Sequence, residues 1–254
     1  MLKVLNKCRE VNLKLNKIKY KQNNVKYIGH IVSDVGLKVD QDKVSLILNM
    51  PPPNNKADLL RFNGFVTYVS KFIPNLSEIN YPLRQLLKKE AIWHWGDEQN
   101  KSFVKINEII SSVNSLKYFD INKMSTVSVD ASSFALGACL LQDGRPIAFA
   151  SRSLNDHEKL YSQIEKECLA ILFDCKKFRQ YIYGKHSIIE SDHKPFKSIF
   201  NKNILKAPPR LQKLLIKLTE FDIEGIHRPE KELIIANFLS RNSSYDKLVT
   251  EIRK

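Results

Sequence analysis

The sequence predicts a mixed α/β domain over about residues 123–241, preceded by a short β-hairpin and a mostly helical region. Polar and apolar residues alternate through "STVSVD" at Ser125–Asp130 and through much of Ala135–Ser151, which indicates strands. A capping-box pattern at Ser162–Glu165 then opens a stretch with apolar residues at helical spacing. Further strand and helix patterns alternate after it, and this order is typical of a mixed α/β domain.

The region before this domain carries hairpin and helix patterns. "MLKVLNKCREVNLKLN" indicates a helix and its exit, and "VKYIGHIVSDVGLKVD" predicts two short strands around a turn at Ser33–Gly36. Helices are predicted after Asp40 up to the prolines at 51–53, over Asn55–Ile73, and over about Asp97–Val113. We therefore expect a β-hairpin within residues 1–40 and a helical region over 41–120, with a boundary near Tyr118–Ser125.

The elements of the second half follow from turn, cap and proline signals. The Asp143-Gly144 pair predicts a hairpin turn, and the helix that opens at Ser162 is expected to stop at Gly184. The later expectations are a strand in "HSIIESDHK" ending near Asp192, a helix after Pro208 and Pro209, a strand around Phe221–Ile226, a helix over Glu232–Arg241, and a tail over 242–254.

The composition favours a polyanionic partner. The chain has 254 residues, 43% of them hydrophobic, so it can bury a substantial core. It carries 41 Lys and Arg against 27 Asp and Glu, a net charge of +14, and nucleic acid is the most obvious partner for such a charge. The alternative is a basic protein whose charge is spread evenly over its surface.

The cysteines and the apolar runs bear on the cell compartment. Cys139, Cys168 and Cys175 lie among apolar residues and fit core thiols, and no C-x-x-C pair occurs. There is no signal-peptide pattern and no apolar run that could span a membrane. We expect an intracellular protein, in the cytoplasm or the nucleus, with no membrane partner.

Three acids take positions that suggest a site. Asp130 ends a predicted strand, Asp192 ends a later one, and Glu167 lies beside the apolar stripe of the long helix. Clustered carboxylates repel unless a cation or a proton neutralises them, and oxygen ligands select hard ions such as Mg²⁺. Singly, each acid has another interpretation: Asp130 as a turn residue, Glu167 as a solvated helix residue, and Asp192 as a helix cap.

A family resemblance supports the joint interpretation. The stretch from "SVDASSFALGACLL" through "SQIEKECLA" and "YIYG" to "SDHKPF" resembles the ribonuclease H domain of gypsy-type retrotransposon reverse transcriptases. The resemblance implies a ribonuclease H fold with a five-stranded mixed sheet and helices, and Mg²⁺-dependent hydrolysis of the RNA strand in RNA–DNA hybrids. It implies that Asp130, Glu167 and Asp192 are catalytic residues that bind two Mg²⁺ ions, with Mn²⁺ as a substitute.

The resemblance extends to the N-terminal half. "YIGH", "KFIPNLSEINYPLRQLLKK" and "WHWGDEQNKSF" are similar to the segments that precede this domain, so residues 1–40 correspond to the end of the polymerase palm and 41–120 to a thumb-like region. The Y-x-D-D polymerase motif does not occur in this sequence, so we expect no primer extension by this chain. The implied setting is a fragment of a Pol polyprotein, whose other segments are possible partners.

The C-terminal motif departs from the family pattern. The family's G-K-x-N-x-x-A-D-x-L-S-R appears here as "EKELIIANFLSR", with Glu230, Leu233 and Asn237 in place of Gly, Asn and Asp. Asn237 stands where the family has its fourth active-site acid, and an amide keeps an oxygen ligand but loses the charge. We expect weaker metal binding and slower turnover. The alternative is a decayed remnant that binds nucleic acid without cleaving it.

Several other residues have two interpretations each. His193 could shuttle a proton or help product release, and it could equally be structural or solvated. Trp93 and Trp95 could stack on bases, although packing within the domain is the better interpretation. Three lysine pairs could track phosphates or be solvated: Lys88 and Lys89, Lys176 and Lys177, and Lys194 and Lys197.

Overall fold

The computed structural model of the chain describes residues 2–14, 22–113, 115–192 and 207–229, and it contains two β-sheets. The smaller sheet lies near the N-terminus and is antiparallel throughout, in the order β1-β2-β3. Its elements, with the helix that precedes it, are α1 (Leu2–Glu10), β1 (Asn24–Tyr27), β2 (His30–Ser33) and β3 (Gly36–Val39).

The predicted hairpin is present, but it has one more strand than the sequence suggested. The turn at Ser33–Gly36 is confirmed, since these two residues are paired where β2 meets β3. A second turn at Ile28–Gly29 divides the predicted first strand into β1 and β2. Ile28 adopts a φ of 44°, which β-branched residues rarely do, so the local sequence carries little signal for this turn. The Tyr68 hydroxyl donates to the Ile28 carbonyl and holds the turn.

The predicted helical region is confirmed as a set of short helices. Asp40 and Asn55 cap the first two of them, each through a side-chain oxygen that accepts from a backbone N–H. The prolines at 51–53 follow the first helix, which fits their inability to continue one. The helices are α2 (Gln41–Leu48), α3 (Lys56–Tyr68), α4 (Leu76–Ile79), α5 (Tyr81–Gln85) and α6 (Asp97–Ser111), with a short 3-10 turn at Ser70–Phe72.

The larger sheet has five strands and mixed directions, as predicted. Its strands are β4 (Ser125–Ala131), β5 (Ala135–Gln142), β6 (Arg145–Ser153), β7 (Ser187–Ser191) and β8 (Ile223–His227). Their order across the sheet is β6-β5-β4-β7-β8. The pairs β4–β5 and β5–β6 are antiparallel, whereas β4–β7 and β7–β8 are parallel. The central strand β4 therefore joins the antiparallel part to the parallel part.

The hairpin between β5 and β6 turns at the dipeptide that predicted it. Asp143 and Gly144 have φ values of 52° and 68°, the left-handed region that Asp and Gly tolerate best. Lys117 and Lys123 bind the Asp143 carboxylate at 2.7 and 2.6 Å. These two hydrogen bonds lower the pKa of Asp143 to about 2. The turn is thus held both by its backbone preference and by ion pairs to the segment before β4.

The long helix predicted after Ser162 is present, and so is the helix predicted after Pro208, whereas two further short helices were not predicted. The capping box at the start of the long helix is confirmed, because the Ser162 backbone N–H donates to Glu165 at 3.0 Å. The long helix ends at Lys177, earlier than predicted, and a short helix follows before Gly184, whose φ is 71°. The helices are α7 (Asp156–Lys159), α8 (Gln163–Lys177), α9 (Arg179–Ile182) and α10 (Pro209–Leu218).

Both faces of the five-stranded sheet are covered. On one face, α8 and α10 pack over the side chains of alternate strand residues such as Val127, Val129 and Leu140. On the opposite face, Cys139 and Leu141 of β5 belong to a core shared with the helical region. Every residue of β5 is buried, which follows from its position between two layers. We call the second layer the helical layer, meaning α2 to α6.

Some expectations concern residues outside the described ranges. The predicted helix over Glu232–Arg241, with Asn237 in it, and the tail over 242–254 lie there. None of the helices in the ranges that are described combines the length and the apolar character that crossing a membrane requires.

Candidate active site

Two of the three predicted acids lie at the same end of adjacent strands. Ser128 of β4 is paired with Glu190 of β7 in parallel register. Asp130 of β4 and Asp192, which directly follows the end of β7, each stand two positions beyond this pair, so both lie at the carboxyl end of the parallel pair. Ligands of open α/β sheets bind at this end of the strands. The structure thus brings together two acids that are 62 residues apart in the sequence.

The third acid, Glu167, points into the protein. It lies on α8, which packs on β4, and only 3% of it is exposed. Its carboxylate accepts from Gln163 Nε2 at 2.6 Å, one helical turn earlier, and from the hydroxyl of Ser191 at 3.4 Å. Ser191 is the last residue of β7 and directly precedes Asp192. Glu167 therefore approaches the strand end at which the other two acids lie.

The three acids share one electrostatic environment. Burial, first of all, and the charges of Asp192 and Asp130 together raise the pKa of Glu167 to about 7. The hydrogen bonds from Gln163 and Ser191 act in the opposite direction, because they stabilise the ionised form. A carboxyl group with such a pKa is only partly ionised near neutral pH. The site would gain stability from a cation placed among these oxygens.

Contacts with β8 fix the end of β7 beside the site. The backbone N–H of Arg228 donates to the Ser191 carbonyl at 2.9 Å, and His227 Nε2 lies 3.0 Å from the Asp192 carbonyl oxygen. The Arg228 side chain also binds the buried Glu190 carboxylate at 2.6 Å. The main chain at Asp192 is therefore held, whereas its side chain is exposed to solvent.

The described part of the chain does not contain a complete set of ligands for a metal ion. Among residues 2–14, 22–113, 115–192 and 207–229, no three His, Cys, Asp or Glu side chains are close enough together to hold one ion. The predicted fourth position, Asn237, lies outside these ranges, as do His193 and the lysine pair at 194 and 197. The assignment of Asp130, Glu167 and Asp192 as metal ligands stays a prediction.

Sequence analysis missed two polar residues beside Asp130, and both come from α4 and its cap. The Asn75 side chain donates from Nδ2 to Asp130 Oδ2 at 2.7 Å. Glu78 lies near enough that burial, first, and the Asp130 charge raise its pKa, while a hydrogen bond from Ser132 lowers it. The available signal was Gly137 within a strand pattern, because an isolated glycine in a strand often marks a close approach of another group.

The structure describes the tryptophans and two of the three lysine pairs for which the sequence left two interpretations open. Trp93 and Trp95 pack against the helical layer, and the Trp95 ring centre lies 6.1 Å from that of Phe103. This favours the packing interpretation for both. Lys176 and Lys177 are exposed at the end of α8, and they line a surface hollow with Arg179 and Tyr183. Lys88 and Lys89 are exposed as well.

Comparison with known families identifies the class of this domain. Residues 120–221 match the RNase H-like domain found in reverse transcriptase. This range contains the first four strands of the large sheet, the helices between them, and all three candidate acids. Residues 120–221 therefore form an RNase H-like domain of the kind found in reverse transcriptase.

Relatives extend the similarity over most of the chain. It is 38% identical over 242 residues to the retrovirus-related Pol polyprotein from transposon 297 of Drosophila melanogaster, covering 94% of this chain and 23% of that polyprotein. It is 33% identical over 254 residues to the transposon Tf2-3 polyprotein of Schizosaccharomyces pombe, covering 94% of this chain and 18% of the polyprotein. These relatives are Pol polyproteins of gypsy-type retrotransposons, and the chain spans about a fifth of their length.

Solved structures agree on the fold. The foamy viral protease-reverse transcriptase in complex with RNA/DNA hybrid superposes with a TM-score of 0.73 at 21% identity, over 89% of this chain and 33% of that one. The same viral protein in complex with dsDNA gives a TM-score of 0.70 at 19% identity, over 89% of this chain and 50% of that one. The predicted ribonuclease H-like fold, with a helical region before it, is thereby confirmed.

Proposed function

We propose that this chain hydrolyses the RNA strand of RNA–DNA hybrids with divalent cations, as part of a retrotransposon Pol polyprotein. The observation that carries the proposal is the position of Glu167. Its carboxylate is buried, points inward, and is bound to Ser191 beside the strand end where Asp130 and Asp192 lie. A buried acid at that place has little structural value, because its burial disfavours the charged form. A role in binding cations explains why it is there.

The donor set suits Mg²⁺ in its chemistry. The three acids that we assign to the site offer only oxygen, and oxygen ligands select Mg²⁺ or Mn²⁺ over softer metals. Two such ions, when bound, activate a water and stabilise the leaving oxygen in phosphodiester cleavage. Asp130, Glu167 and Asp192 would hold them, and Asn237 would add a neutral oxygen. Gln163 and Ser191 would orient the Glu167 carboxylate, since each already donates to it.

The domain division belongs to the same proposal. We assign residues 1–40 to the end of a palm, 41–120 to a thumb-like region and 123–241 to the ribonuclease H domain. The net charge of +14 supports a nucleic-acid partner, whose phosphates would meet exposed lysines such as Lys176 and Lys177. The same excess of positive charge would serve a binding protein equally well. Cleavage is therefore the property to test.

The test is cleavage of a labelled RNA strand in an RNA–DNA hybrid, with Mg²⁺ or Mn²⁺, against double-stranded RNA as a control substrate. Glu167→Gln should reduce cleavage roughly 100-fold or more, because the loss of a charged ligand costs several kcal/mol of charge stabilisation. The matched control is Glu165→Gln on the same helix, which removes the same charge from a side chain that caps α8 and binds Arg210. Activity that resists Glu167→Gln but fails in Glu165→Gln would refute the assignment.

The alternative is a remnant that binds nucleic acid without cleaving it, and Asn237 is the residue that favours it. Restoring the charge with Asn237→Asp should raise cleavage and lower the Mg²⁺ concentration that it requires, because a carboxylate attracts a second cation more strongly than an amide does. If neither the original chain nor Asn237→Asp cleaves the hybrid, yet both bind it in a salt-dependent way, the alternative is correct.

A further inference from the structure

The side chain of Asn75 lies against Asp130 although it comes from outside the ribonuclease H domain. Asn75 follows Pro74 and caps α4 with a φ of 46°, a left-handed conformation that Asn tolerates better than most residues. Only 4% of it is exposed. Its Nδ2 donates to Asp130 Oδ2 at 2.7 Å, the length of a charge-assisted hydrogen bond. Its Oδ1 accepts no hydrogen bond within the described part of the chain.

The large sheet leaves room for this amide at one glycine. Gly137 of β5 is paired with Asp130 of β4. A Cβ atom built on Gly137 would lie 2.0 Å from Asn75 Oδ1 and 2.9 Å from its Cγ, so the Asn75 amide would have to shift to admit any larger residue. The φ of Gly137 is not positive, so the turn geometry does not require glycine there. The glycine is needed because the Asn75 amide passes over the strand to reach Asp130.

A second set of bonds anchors the same cap to the sheet. The Ser77 backbone N–H donates to Ser151 Oγ at 2.9 Å, and the Ser151 hydroxyl donates to Ser77 Oγ at 3.0 Å. Ser151 of β6 is paired with Gly137, which in turn is paired with Asp130. The start of α4 therefore lies over one row of residues that crosses three strands. The bonds to Ser151 hold the start of α4 over the sheet, and the bond to Asp130 holds the Asn75 amide itself.

We propose that Asn75 is a positioning residue for Asp130, so that the helical layer completes the candidate active site. The chemistry of this inference rests on the proposed function, whereas the contact stands independently of it. A carboxylate that ligates a metal is generally held by an outer hydrogen bond, and loss of such a partner weakens metal binding about 10- to 100-fold. Asn75 supplies such a bond to the Oδ2 atom of Asp130.

The direct test measures Mn²⁺ affinity by electron paramagnetic resonance on the full chain, without nucleic acid. Asn75→Ala should weaken Mn²⁺ binding about 10-fold. The matched control is Asn80→Ala: Asn80 is also a buried asparagine at an end of α4, but it donates to Asn63 at 2.8 Å and makes no contact with the acids. Asn80→Ala should change the affinity less than about 2-fold. Equal weakening in the two variants, or none in Asn75→Ala, would overturn the inference.

Cleavage kinetics and a second variant give independent readouts. Asn75→Ala should raise the Mg²⁺ concentration for half-maximal hybrid cleavage about 10-fold, with a smaller effect on the rate at saturating Mg²⁺. Gly137→Ala should weaken Mn²⁺ binding in the same way, since the added Cβ displaces the amide. A folded Gly137→Ala variant that binds Mn²⁺ like the original chain would count against the inference.

A metal-free measurement separates this inference from the proposed function. The melting temperatures of Asn75→Ala, Asp130→Asn and the double variant form a mutant cycle. If Asn75 holds Asp130, the double variant should lose less than the sum of the single losses, by about 2 °C or more. Additive losses would overturn the inference even if the chain cleaves hybrids. If the original chain neither binds Mn²⁺ nor cleaves while the cycle shows coupling, the proposed function is wrong and the positioning contact stands.

Discussion

At the scale of single residues, one carboxyl group is buried in the core outside the candidate site. Asp174 lies on α8, two turns after Glu167, and is fully buried. Neither of its oxygens has a hydrogen-bond partner in the described part of the chain. Burial, above all, raises the pKa of Asp174 well above its ordinary value, Asp130 raises it further, and Arg152 lowers it. Burial therefore favours the protonated form of Asp174 in the folded protein, and its polar atoms have no partner in the described part of the chain.

We expect Asp174→Ala to stabilise the chain by about 1–2 kcal/mol at pH 8, because it removes a buried polar group that has no partner. The folded-state pKa is raised, so the folded protein binds the extra proton. The stability of the original chain should therefore fall as the pH rises above the ordinary Asp pKa near 4. Urea unfolding at pH 4 and pH 8 measures the difference, which should shrink at pH 4. A gap that is the same at both pH values would contradict this account.

The site residues show what local sequence can and cannot reveal. Asp130 and Asp192 were predictable because each follows a strand pattern, and Glu167 because it stands next to an apolar helical stripe. Asn75 was not, since its role depends on a tertiary contact over Gly137 from a segment 55 residues away from Asp130. Asp174 was also missed, because a polar residue within a helix pattern normally faces solvent.

At the scale of elements, a residue in the first turn of α8 links this helix to α10. Both helices lie on the face of the sheet that is opposite the helical layer. Glu165 closes the capping box with Ser162, and it also binds Arg210 of α10 at 3.2 Å. Ser162→Ala should cost about 1 kcal/mol of unfolding free energy, the usual loss for an N-cap. Ser111→Ala is the control, because this exposed hydroxyl only donates to a carbonyl in its own helix. Thermal unfolding of both variants is the measurement, and equal losses would argue against the cap.

Among the turns and helix starts, those formed by residues with strong conformational preferences were the ones that the sequence predicted. The Asp143-Gly144 turn and the capping box at Ser162 were predicted correctly because both residue types have strong conformational preferences. The turn at Ile28–Gly29 was missed, since Ile28 is stabilised in its unusual conformation by Tyr68, 40 residues later in the chain. Local conformational preference was therefore enough to predict the first two features. The turn at Ile28–Gly29 depends on a hydrogen bond from a distant residue, which local sequence does not reveal.

At the scale of the whole molecule, the five-stranded sheet is a middle layer. Cys139, Leu141 and Phe149 on one face are buried against the helical layer, with residues such as Phe62 and Ile106 on the other side of the contact. Fully burying a side chain such as Leu or Phe contributes roughly 1.5–3 kcal/mol. The ribonuclease H-like domain therefore draws part of its stability from residues that precede it in the chain.

A chain of residues 120–254 should consequently melt about 10 °C lower than the full chain and bind the dye ANS, which reports exposed apolar surface. The control deletion removes residues 1–14, because none of the described residues in this segment is buried. That shorter deletion should leave the melting temperature within about 2 °C. Calorimetry and ANS fluorescence measure both effects. A 120–254 chain that melts like the full one, with no ANS signal, would show that the two layers are independent.

The burial of Cys139 makes its rate of alkylation a measure of how often the sheet and the helical layer separate. This thiol lies between the sheet and the helical layer with no exposed surface, and burial raises its pKa well above the ordinary value. An alkylating reagent attacks the thiolate, so it reacts with Cys139 only while the two layers are apart. Cys168 and Cys175 lie in the core on the opposite face. The order in which these sulfur atoms acquire label, followed by mass spectrometry, would time the opening of each face of the sheet separately.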